Sequence, residues 1–137
     1  MKNLPTVRAT LCLSADLFDL EFVTRRIGVD PTKTRSKDSF RTKEFAHTEW
    51  IVDVLEENCW SISAPLDRLY EQIGGKVEII KSLCNECSIE TAIIVSIHMN
   101  HGHGERPEMD ISREIIALAA AINAKIGFDL YCYEEEI

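Results

Sequence analysis

Ile89-Glu90-Thr91-Ala92-Ile93-Ile94-Val95-Ser96-Ile97-His98-Met99 is the longest apolar strand-like run of the chain, and its reading decides the fold. Ile93, Val95, Ile97 and Met99 alternate with Ala92 and Ile94, so apolar side chains fall on both faces. That pattern predicts a strand buried on both sides, in the middle of a sheet. The loop Asn100-His101-Gly102-His103-Gly104 and Pro107 follow. Ile115, Leu118, Ala119, Ile122 and Ile126 then recur at helical spacing, which predicts a helix from 111 to 125. Asp110 or Ser112 stands where a cap is expected, and Gly127 where the helix should stop. Phe128-Asp129-Leu130-Tyr131-Cys132-Tyr133 reads as a closing strand ahead of the acidic tail Glu134-Glu135-Glu136.

Upstream, Val7, Ala9, Leu11 and Leu13 alternate with Arg8, Thr10 and Cys12, the period of a half-buried strand. A helix is predicted from Leu20 to Ile27, with Asp19 as its N-cap and Phe18 set to staple onto Val23. Gly28 supplies the left-handed stop and Pro31 blocks continuation. From Asp30 to Glu44 the chain is polar and basic and is expected to be a surface loop. Thr48–Leu55 alternates as a second strand. Leu66, Leu69, Tyr70 and Ile73 mark a helix that tolerates Pro65 in its first turn. Gly74-Gly75 breaks or kinks the segment, because each glycine costs about 1 kcal/mol in a helix interior. Val77, Ile80, Leu83 and Cys84 mark a further helix.

At 137 residues the chain is expected to form one α+β domain, 1–137. The predicted architecture is a two-layer sandwich of about four mainly antiparallel strands with helices on one face. Its first and last strand–helix–strand units are expected to be split βαβ pairs, as in ferredoxin-like sheets. No run approaches the roughly 20 apolar residues that span a bilayer. The N-terminus reaches Arg8 before any apolar run forms, so no secretory signal is read there. A reducing cytoplasm is the expected location, and the five cysteines are read as free thiols.

The net charge of −8 speaks against nucleic acid, which requires phosphate neutralisation. The charge is uneven. Residues 24–43 carry +5, so the remainder of the chain carries −13. Lys33, Arg35, Lys37, Arg41 and Lys43 therefore form a candidate surface for a phosphate, an acidic protein partner or a nucleic-acid backbone, against the plainer reading of a solvated loop.

Two further groups bear on chemistry. His98, His101 and His103 form H-x-x-H-x-H at a strand end, and three imidazoles could hold zinc with water as the fourth ligand. The same residue types also occur in exposed turns. Cys84-x-x-Cys87 has the spacing of a dithiol, yet it falls at the end of a helix, where the dipole does not favour a thiolate. No nucleophile elbow or phosphate-binding glycine loop is present.

Several short motifs, in order, resemble a family of small bacterial proteins described as domain of unknown function 4279. They are Ser14 in the opening strand, Asp16-Leu17-Phe18-Asp19, Gly28-Val29-Asp30-Pro31-Thr32, Trp50 in the second strand, and Ile126-Gly127-Phe128-Asp129-Leu130-Tyr131. The resemblance implies no activity, cofactor or site residue. The expected function is a non-enzymatic, cytoplasmic protein-binding module, immunity-like by analogy. The alternative is a zinc-dependent hydrolase-like enzyme using His98, His101 and His103. A third reading is a ligand pocket between sheet and helices lined by Trp50 and Tyr131.

Overall fold

The computed structural model describes residues 4–39, 47–100 and 106–133. Within them the chain forms β1 (Thr6–Ala15), α1 (Leu20–Ile27), β2 (Lys33–Arg35), β3 (Thr48–Glu56), α2 (Ser63–Ile73), α3 (Val77–Cys87), β4 (Glu90–Asn100), α4 (Arg113–Ala121) and β5 (Lys125–Tyr133). Short 3-10 turns at Lys37–Ser39 and Gly74–Lys76 complete the order. The fold is α+β. Five strands make one mixed sheet, ordered β2-β3-β1-β4-β5.

β1 is the middle strand. It runs antiparallel to β3, with Leu11 opposite Val52, and antiparallel to β4, with Leu11 opposite Ile93. These registers align the odd residues of β1 and β4 with the even residues of β3. Along that face of β1, Val7, Ala9, Leu11 and Leu13 are all fully buried. Val52, Trp50, Ile93, Val95 and Ile97 join them, and so do Val23, Ile27, Leu66, Leu69, Ile73, Ile80, Leu83, Ile115 and Leu118 from the four helices. All four helices thus pack on one face of the sheet. Burying a side chain of this size contributes roughly 1.5–3 kcal/mol.

Local signals explain the helix ends. Asp19 accepts a hydrogen bond from the Phe22 N–H at 3.1 Å, and Gly28 takes φ 76°, so α1 starts and stops where the sequence places it. Trp50 is anchored to the same helix. Its indole Nε1–H donates to Thr24 Oγ1 at 2.9 Å, while that hydroxyl donates to the Leu20 carbonyl, also at 2.9 Å. The Gly74–Lys76 turn separates α2 from α3, as the glycine pair predicts.

Four expectations are corrected. The sheet has five strands rather than about four, because part of the basic loop pairs with β3. Thr32 locks that pairing: its N–H donates to the Ile51 carbonyl and its Oγ1 accepts from the Asp53 N–H, both at 2.7 Å. Neither strand–helix–strand unit is split in the ferredoxin-like manner. β1 and β3 are adjacent and antiparallel, whereas β4 and β5 are adjacent and parallel. The last helix ends at Ala121 rather than 125. Asn123 takes the left-handed conformation with φ 55°, and Gly127 lies inside β5. Finally, Ile89–Met99 is an interior strand, as expected, but β1 rather than β4 occupies the middle.

The Trp50–Thr24 bond supplies a test. Thr24→Val strands a buried indole N–H and is expected to lower stability by about 1–3 kcal/mol. Thr24→Ser should restore most of the loss. Urea unfolding at constant slope measures both, and equal midpoints for wild type and Thr24→Val would count against the anchor.

Candidate functional site

The face of the sheet opposite the helices gathers the polar positions of every strand. Lys33 and Arg35 on β2 pair with Ile51 and Glu49 on β3. Asp53 and Leu55 continue β3 beside Thr10 and Arg8 of β1. Arg8 and Thr10 pair with Ser96 and Ile94 of β4, and Ser96 and His98 pair with Asp129 and Tyr131 of β5. Strands lie about 4.8 Å apart. One row therefore reads Leu55, Arg8, Ser96, Asp129, and the next carries Thr6, His98 and Tyr131.

Two parts of this face differ in chemistry. Toward one end, Thr10 Oγ1 donates to Asp53 at 2.5 Å, and Cys12 Sγ donates to Glu49 at 3.5 Å. Burial pushes the Cys12 thiol up to about 12, with the charge of Glu49, its hydrogen bond and Asp53 acting in the same direction. Cys12 is therefore a neutral donor at physiological pH and no nucleophile. Toward the other end the His98 ring stacks on Tyr131 at 4.6 Å between centroids and on Tyr133 at 5.8 Å, with planes within 12° and 9°. Its Nδ1 shares a 2.8 Å hydrogen bond with the Tyr133 hydroxyl. The result is a cluster of near-parallel, stacked rings, with Arg8, Ser96 and Asp129 in the adjacent row of the sheet.

The predicted site residues are distributed as follows. His98 lies in this cluster, while His101 and His103 fall outside the described residues. Among the described residues no three histidine, cysteine or acidic side chains converge as a metal cluster. Lys33 and Arg35 stand on the β2 edge of the same face, and Lys37 is ion-paired with Asp16. Arg41 and Lys43 fall outside the described residues. The Cys84/Cys87 pair sits in the last turn of α3, and burial, followed by the nearness of Cys87, raises the Cys84 pKa. A Trp50/Tyr131 pocket does not form. Trp50 is fully buried on the helix side, whereas Tyr131 projects from the opposite face.

A groove of about 510 Å³ opens where the ends of α3 and α4 meet the starts of β4 and β5. Lys81, Asn85, Glu90, Asn123 and Lys125 bring polar groups to it. In open sheets, ligand crevices favour the carboxyl ends of parallel strands. This groove lies at the opposite ends of β4 and β5.

Sequence reading missed Arg8, Asp129 and Tyr133 as members of one surface. Alternation marked Arg8 as solvent-facing on β1, but only the pairing of β1 with β4 and β4 with β5 brings it near the aromatic cluster.

Among the described residues no helix is long and apolar enough to cross a membrane. The family model described as domain of unknown function 4279 matches residues 5–133. No curated protein matches the chain. No solved structure matches it either.

The environment of Cys12 sets a pH dependence. Its pKa is raised in the folded protein, so its stabilising contribution is full below the ordinary thiol value of 9.0 and declines as pH climbs toward about 12. The stability difference between wild type and Cys12→Ala should shrink over that window. At mildly alkaline pH, iodoacetamide should label the exposed Cys132 well before Cys12. Equal labelling rates, read by peptide mass spectrometry, would contradict the assigned environment.

Proposed function

Because the chain belongs to the domain of unknown function 4279 family, whose description carries no activity, we propose from its own geometry that it is a protein-binding module. The partner is received on the helix-free face of the sheet, and the role is non-enzymatic and of the immunity kind. One observation carries the reading: the His98–Tyr131–Tyr133 stack lies beside Arg8 on a face that no helix of the described chain covers. Tyrosine and arginine are the residue types that most often dominate binding energy at protein interfaces. A stacked, hydrogen-bonded cluster also enters a complex with little side-chain entropy left to lose.

The charges of this face suit a mixed polar partner. Lys33 and Arg35 stand at one edge, Glu49 and Asp53 beside them, Arg8 near the middle and Asp129 toward the other edge. Such a pattern fixes orientation and speeds encounter more than it deepens affinity. The net charge of −8 makes nucleic acid a poor alternative occupant. Free thiols at all five cysteines agree with a reducing compartment such as the cytoplasm.

Immobilised protein is expected to capture a stoichiometric protein partner from a lysate of its native host. Arg8→Glu and His98→Ala should each weaken that capture at least tenfold, about 1.4 kcal/mol or more. Both positions lie off the helix-side core, so circular dichroism should remain unchanged. Recovery of no stoichiometric partner, or undiminished capture by both variants, would overturn the proposal.

A further inference from the structure

The two edges of the sheet are built differently. β2 is three residues long, exposed at each of them, and carries Lys33 and Arg35, the short and charged form that discourages further pairing. β5 is nine residues long, pairs with β4 along its whole length, and among the described residues has no strand on its other side. Its sequence, KIGFDLYCY, contains no proline, and its regular register with β4 contains no bulge. Among the described residues β5 is largely uncovered on both faces beyond Ile126, which packs partly against the core. Phe128 is 47% exposed and Leu130 63% on the helix side, and Tyr131 is 45% and Tyr133 48% on the other. A long apolar edge strand of this form is a template for another strand.

We infer that β5 pairs antiparallel with β5 of a second copy of this chain, joining two five-stranded sheets into one continuous sheet.

The strand is complementary to itself in one register. Centring the two-fold on Phe128 sets Phe128 against Phe128 and Ile126 against Leu130 on the helix side. On the open face it sets Lys125 against Tyr131 and Gly127 against Asp129. Lys125 then lies diagonal to Asp129 of the second copy, twice over, within reach of a long side chain. Centring on Asp129 would oppose two carboxylates, which is destabilising. Centring on Gly127 would pair Lys125 directly with Asp129 but leave Leu130 beyond the partner strand. A strand whose one lysine and one aspartate cancel also avoids the repulsion that a net charge of −8 per chain would otherwise bring to an interface. The joined sheet would carry two copies of the His98–Tyr131–Tyr133 cluster on one face, but self-association is measured independently of partner capture.

Sedimentation velocity of the full chain, from low to high micromolar concentration, should show a monomer–dimer equilibrium. Phe128→Glu opposes two carboxylates at the two-fold and should shift the midpoint at least tenfold toward monomer. It alters an exposed side chain, so the fold is kept. Lys125→Asp and Asp129→Lys should each weaken dimerisation several-fold, and the Lys125→Asp/Asp129→Lys double variant should regain it. Monomer at every concentration overturns the inference. A dimer indifferent to Phe128→Glu overturns the interface, and failure of the double variant to regain affinity overturns the register.

Discussion

The structure depends on β1 being held antiparallel between β3 and β4 with one face entirely apolar. Leu11 sits between Val52 and Ile93, and the rows on either side repeat the arrangement. Slipping β1 by one residue against its two neighbours would turn Arg8, Thr10 and Cys12 toward the helices and expose Leu11 and Leu13. All four helices contribute side chains to this one surface, so the register of three strands decides where the core is. It also decides what is left on the other side.

What is left is a polar face organised by cross-strand neighbours. Thr10 and Asp53, Cys12 and Glu49, and His98 with Tyr131 all meet because adjacent strands align them. The Cys12 thiol illustrates how the location fixes the chemistry. Partial burial with two carboxylates nearby keeps it protonated, which removes the most nucleophilic side chain of the face from catalysis. The aromatic end has the opposite character, with exposed tyrosines and an arginine suited to contact.

The helix layer stops short of β5. β4 has a covered face, with Ile93, Val95 and Ile97 buried, while their β5 neighbours Ile126, Phe128 and Leu130 remain partly or largely exposed. α4 connects these two strands but directs Ile115, Leu118 and Ala119 into the shared core. The same connection makes β4 and β5 parallel, since a helical crossover returns the chain to the starting end of the sheet. β5 thus gains its backbone pairing from β4 and little side-chain cover from the rest of the chain.

Much of the fold was legible in the sequence by itself. Alternation in β1 and β3, the two-sided apolar run of β4, Asp19 and Gly28 at the ends of α1, and the Gly74-Gly75 break all act through neighbours within a few residues. Local patterns report such neighbours directly. The short β2 was not legible, because its pairing depends on Thr32 meeting Ile51 and Asp53, about twenty residues away. Nor was the end of α4, where Asn123 rather than Gly127 takes the left-handed turn. Strand order and direction escaped for the same reason, as hydrogen bonds between strands leave no local periodicity. Of the candidate site, the sequence identified His98 and the basic residues; only the tertiary pairing of β1, β4 and β5 placed His98 among Arg8, Asp129, Tyr131 and Tyr133.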